Sequence, residues 1–146
     1  MFRIQFSKKH VDRFKKLDIL TVYLFGSQAK GNVHPLSDVD IGVVFEKPEK
    51  FKDKTMSLYL ELYQIFTEVL PKDYLRHRFK TKEHEFDLVF LQFAPIHIQF
   101  NAIRNAKVLY ESHRDKRLDY EEYVLKRFCD LKYLYDLRER GILERI

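Results

Sequence analysis

Asp38 and Asp40 stand one residue apart at the head of the apolar run Asp-Val-Asp-Ile-Gly-Val-Val-Phe, residues 38–45. On an extended strand, residues two apart share a face, with Cα atoms roughly 6.6 Å apart. Two ionised carboxylates placed so repel each other unless a cation lies between them. Mg²⁺ suits that place, because it takes oxygen ligands and is commonly held by one or two carboxylates plus substrate phosphates. A pair of such ions about 3.5–4 Å apart can clamp an in-line displacement at phosphorus. Upstream, Gly26-Ser27 ends another apolar run, and ten residues separate it from Asp38. A glycine there lets the backbone approach phosphate oxygens, and Ser27 adds a hydroxyl and an N–H donor. Lys30 supplies a positive charge for a triphosphate, Gly31 a second permissive turn, and Ser37 a local hydrogen bond that shapes entry into the strand. Three of the chain's four glycines (Gly26, Gly31 and Gly42) lie in this stretch. The expectation is that the glycines serve phosphates and the aspartates serve metal ions.

The elements that must position these residues can be read from pattern. Ser7 is placed to cap a short helix over 8–17, with Val11 and Phe14 on one side. Residues 19–25, Ile-Leu-Thr-Val-Tyr-Leu-Phe, are β-branched and aromatic and predict a buried strand that Gly26 ends. A second strand covers 38–45. Residues 55–70 carry apolar residues at helical spacing, with Pro71 just beyond. A third strand is expected over 85–91, a helix from Pro95 to about Ala106, and a short extended piece over 107–111. A long helix over 115–140 follows, with Gly141 as its stop. Strands alternate irregularly with helices, which predicts an α+β (α/β) fold with a small mixed sheet, packed helices and a long terminal helix.

Composition sets bounds. The chain has 146 residues, 45% of them hydrophobic and 15% aromatic, enough for one domain with a real core. Its net charge of +5 comes from 27 Lys and Arg against 22 Asp and Glu, spread along the chain. That permits a polyanionic ligand without demanding one. The single cysteine, Cys129, fits a reducing cytoplasm, and no run approaches the length of a membrane span.

The segment GSQAKGNVHPLSDVDIGV, residues 26–43, resembles the signature of the polymerase β-like nucleotidyltransferases, and more narrowly their minimal single-domain members. The resemblance implies one such domain over 1–146 and a third acidic residue on a later strand. Asp87, in Glu-Phe-Asp-Leu-Val-Phe-Leu, is the natural match. Set among apolar neighbours, it would cost several kcal/mol if buried without a function. The implied roles are metal ligation and catalysis by Asp38, Asp40 and Asp87. Binding of ATP is implied for Gly26, Ser27, Lys30 and Ser37. Lys30 stands where relatives often have Arg, which keeps the charge but loses a bidentate phosphate contact. Residues 94–112 resemble the members that act as antitoxins to all-helical HEPN toxins. These move AMP from ATP onto a toxin tyrosine, so the implied partners are ATP with Mg²⁺ and a HEPN toxin. A membrane is not among them, and nucleic acid is not expected as the main partner. Transfer to a small molecule or RNA, or toxin binding without chemistry, are the alternatives.

Other candidates carry less. Arg78 with His84, and Arg3 with His10, have the Arg-to-His spacing of HEPN ribonucleases, but that spacing is common in a basic chain. His34 reads as a loop residue and Cys129 as a small buried one. The basic run over 74–84 reads as solvated surface. Along the terminal helix, Tyr120, Tyr123, Val124, Phe128, Leu131, Leu134 and Tyr135 fall near one stripe, while Leu118, Leu125, Tyr133 and Leu137 widen it. Core packing is the plainer account of that surface, and a partner-binding face the other.

Overall fold

The computed structural model describes residues 4–26, 39–70 and 86–145. Helix α1 (Lys8–Lys16) is followed by strand β1 (Ile19–Phe25) and strand β2 (Asp40–Phe45). A 3₁₀ turn (Pro48–Phe51) leads into α2 (Thr55–Val69). Then come strand β3 (Asp87–Phe90), a 3₁₀ turn (Leu91–Phe93), α3 (Ile96–Arg104), strand β4 (Lys107–Glu111) and α4 (Arg114–Glu144). The strands form one sheet in the order β3-β2-β1-β4. β1 is antiparallel to β2 and to β4, whereas β2 and β3 run parallel, so the sheet is mixed as expected.

Strand alternation explains why both faces are covered. Ile41, Val43 and Phe45 of β2 pack with Val22 and Leu24 of β1 against Phe14 of α1 and Leu58, Leu62 and Phe66 of α2. Tyr23 and Val44 face the other way, into a second cluster with Ala102 of α3 and Tyr120 and Val124 of α4. Helices therefore flank the sheet on both sides. Ser7 caps α1 as its sequence predicts, its side chain accepting from the His10 N–H. His10, one of the Arg-to-His candidates, is occupied by Ser7 and Glu68. Arg3, Arg78, His84, His34 and the basic run 74–84 lie outside the described residues.

Helix α4 departs from expectation in three ways. It runs through Gly141 to Glu144, because a glycine within a helix costs only about 1 kcal/mol and nothing here turns it left-handed. Cys129 is exposed rather than buried. Of the apolar stripe, Tyr120 and Val124 are buried and Phe128, stacked on Phe100 at 3.9 Å, is half-buried. Beyond Leu131 the helix leaves the body, and Tyr133, Leu134, Tyr135 and Leu137 are exposed. The anchored half is tied to the sheet by polar links. The Tyr23 hydroxyl donates to Glu121 at 2.8 Å, and Arg117 bridges Glu121 and Glu111 at 2.8 and 2.6 Å.

Candidate active site

The register of the parallel pair brings two of the three predicted aspartates together. Asp40 opens β2, Asp87 opens β3, and the two are direct partners across the ladder. Neighbouring strands lie about 4.8 Å apart, so the two side chains emerge side by side on one face. The Asp87 N–H donates to the Val39 carbonyl at 2.8 Å, which fixes the start of the pairing. The carboxyls are within hydrogen-bonding reach of each other. Burial pushes the Asp40 carboxyl up from its ordinary 3.8 to about 6, and the charge of Asp87 and their hydrogen bond add to the rise.

Burial falls on the opposite partner from the one the sequence suggests. Asp87 is exposed, although Phe86, Leu88 and Phe90 around it are buried. As the first residue of β3 it projects at the end of the sheet, so no burial cost attaches to it. Asp40 is the partly buried carboxylate. The expected pairing of Asp38 with Asp40 along one strand cannot be placed, because Asp38 lies outside the described residues, as do Ser27, Lys30 and Ser37.

Gly26 has a role that its sequence context does not reveal. Its φ of +81° belongs to the left-handed region, and a Cβ there would lie 2.2 Å from Asp40 Oδ2. The missing side chain is thus the space that the Asp40 carboxylate occupies. Gly42 corrects the expectation that the glycines of this stretch serve phosphates. A Cβ on Gly42 would lie 2.8 Å from Leu91 Cδ1, so its absence seats a core leucine.

The donor set suits a hard cation. Two oxygen-bearing groups converge, one held at the sheet end by a glycine-lined gap and one open to solvent, and their mutual repulsion is what a divalent ion relieves. Among the described residues no third acidic, histidine or cysteine ligand joins them.

Comparison with known proteins shows the family and the fold. Residues 8–115 match the family described as polymerase beta, nucleotidyltransferase. The protein adenylyltransferase MntA of Aphanizomenon flos-aquae is 31% identical over 123 residues, spanning 84% of this chain and 75% of that one. In fold, the chain is similar to a toxin–antitoxin crystal structure with AMP-PNP, with a TM-score of 0.59, 18% identity, and 91% and 94% of the two chains covered. It is also similar to a structure of tri-AMPylated Shewanella oneidensis HEPN toxin in complex with MNT antitoxin, with a TM-score of 0.53, 18% identity, and 90% and 94% covered. The sheet of this chain carries Asp40 and Asp87 at adjoining strand ends, and the chain belongs to the polymerase β nucleotidyltransferase family.

Proposed function

We propose that this chain is a Mg²⁺-dependent protein adenylyltransferase, acting from a single domain over 1–146, that moves AMP from ATP onto a tyrosine of a HEPN toxin and so serves as its antitoxin in the cytoplasm. The observation that carries the reading is the Asp40–Asp87 pair at the head of the parallel ladder. The identity to an adenylyltransferase over most of the chain, and the fold shared with toxin-bound antitoxins, support it.

Asp40 and Asp87, with Asp38, would hold the metal. When bound, the metal would neutralise charge on the triphosphate and on the departing pyrophosphate. The chain's own residues do the rest. Asp40, backed against Gly26, has little freedom to turn away, which makes it the fixed ligand. Asp87 is open to solvent and can meet an incoming tyrosine hydroxyl, favouring loss of its proton. Gly26 and Ser27, with Lys30 and Ser37, would cradle the phosphates. The tyrosine oxygen bonds to the α-phosphorus, the bond from that phosphorus to the bridging oxygen breaks, and pyrophosphate leaves.

ATP titration by calorimetry, with and without Mg²⁺, tests the site. Wild type should bind ATP tightly only with the metal, and Asp40→Asn should lose that dependence. Metal-independent binding, equal in both proteins, would remove the basis for the reading.

A further inference from the structure

The pairing of β3 with β2 is short, from Asp40–Asp87 to Val43–Phe90, and its register places Asp87 beside Asp40. A slip of one residue would carry Asp87 to the opposite face of the sheet. Two contacts beyond the end of β3 oppose such a slip. Leu91, fully buried, seats over Gly42, whose missing Cβ would otherwise stand 3.0 Å from Leu91 Cγ. Gln92 then takes over the ladder that β3 has left. The alternation that turns the Val39 carbonyl toward Asp87 turns the Phe45 backbone toward the same edge. There the Phe45 N–H donates to Gln92 Oε1 at 2.8 Å, and Gln92 Nε2 donates to the Phe45 carbonyl at 2.7 Å. A primary amide supplies the donor and acceptor of one further strand residue, and both bonds fail if the register shifts.

We propose that Gln92, seated by the fit of Leu91 over Gly42, is a positioning residue that holds Asp87 opposite Asp40. It touches neither carboxylate and acts through the register of β3. The inference rests on the proposed metal-binding role of that pair, so its test separates the two. Mn²⁺ is titrated without nucleotide and followed by electron paramagnetic resonance, and amide hydrogen exchange is read at residues 87–90. The proteins are wild type, Gln92→Ala, Gln92→Glu, which keeps the acceptor and loses the donor, and Thr21→Ala as a control. Thr21 is buried on β1, and its hydroxyl donates to the Tyr110 carbonyl of β4 at 2.8 Å, toward the sheet edge opposite β3. Should Thr21→Ala not fold, Thr21→Val replaces it.

Both Gln92 variants should bind Mn²⁺ roughly 10–100-fold more weakly, the range for lost supports of metal ligands. They should also exchange faster at 87–90. The control should lose melting temperature yet keep both wild-type values. Exchange at 87–90 unchanged in the Gln92 variants, or Mn²⁺ affinity that follows melting temperature across all variants, would overturn the inference. Faster exchange in the Gln92 variants, with wild type binding Mn²⁺ no better than the Asp40→Asn, Asp87→Asn double variant, would uphold the register role and sink the metal-site reading instead.

Discussion

Asp40 is the residue whose chemistry follows most directly from its surroundings. Its folded pKa of about 6 stands above the ordinary 3.8, so the folded state binds the proton more tightly than the unfolded chain does. The stability this contributes is complete below the ordinary value and is lost as pH rises through about 6. Metal-free protein should therefore melt higher at pH of about 5 than at about 8, less so in Asp40→Asn, with Mg²⁺ narrowing the gap; thermal melts of both proteins check this. Gly26 gives a second expectation at this scale. Gly26→Ala must adopt a left-handed backbone, at about 1–2 kcal/mol, and also displace the Asp40 carboxylate. It should lower stability by that order and weaken Mg²⁺-dependent ATP binding, whereas a merely conformational role would leave binding intact. The sequence makes the acidic pair and the glycine conspicuous through their types and spacing. It cannot show that Gly26 lies against Asp40 rather than only against phosphate, nor that Gln92 completes a ladder. Those are contacts across strands, between residues whose own neighbours carry no trace of them.

Elements were legible where local pattern and tertiary packing agree. Strand β1 matches its expected bounds over 19–25, and α2 ends within a residue of the position that Pro71 suggests. The start of α4 lies within a residue of its expected place, but its C-terminal end was not legible, because an exposed helix meets no neighbour that would stop it at a glycine. Its amphipathic stripe also misleads about burial, since apolar spacing continues after the body of the protein ends. Tyr135 and Ile142 lie four and eleven residues past Leu131, on the line of the buried Val124, and both are exposed. Arg127, Arg138 and Arg145, exposed and spaced by eleven and seven residues, border that line. With a helical toxin as the proposed partner, this overhang is where an apolar surface with an acidic margin would dock. Leu134→Glu combined with Tyr135→Glu should raise the Kd of the toxin complex about tenfold or more, as for lost interface anchors, and leave ATP affinity unchanged. Light scattering of the co-expressed pair and ATP calorimetry measure the two effects, and a complex of unaltered mass and affinity would clear the overhang of this role.

At the scale of the whole molecule, the mixed sheet serves to bring the ends of β1, β2 and β3 to one edge. Antiparallel pairing sets Gly26 beside Asp40, and parallel pairing sets Asp87 on its other side. The fold class was legible because strands and helices alternate with clear turn chemistry. The strand order was not, because nothing in a single strand states which neighbour it will take. Among the described residues no helix is long and apolar enough to cross a membrane. The most direct test of the account is transfer itself. The proposed HEPN partner, purified and incubated with this chain, Mg²⁺ and ATP labelled at the α-phosphate, should become labelled on tyrosine in whole AMP increments by intact mass. Asp87→Asn, which alters one exposed side chain, should fold as wild type does and abolish the label. A partner left unlabelled by wild type, or labelled equally by Asp87→Asn, would contradict the account.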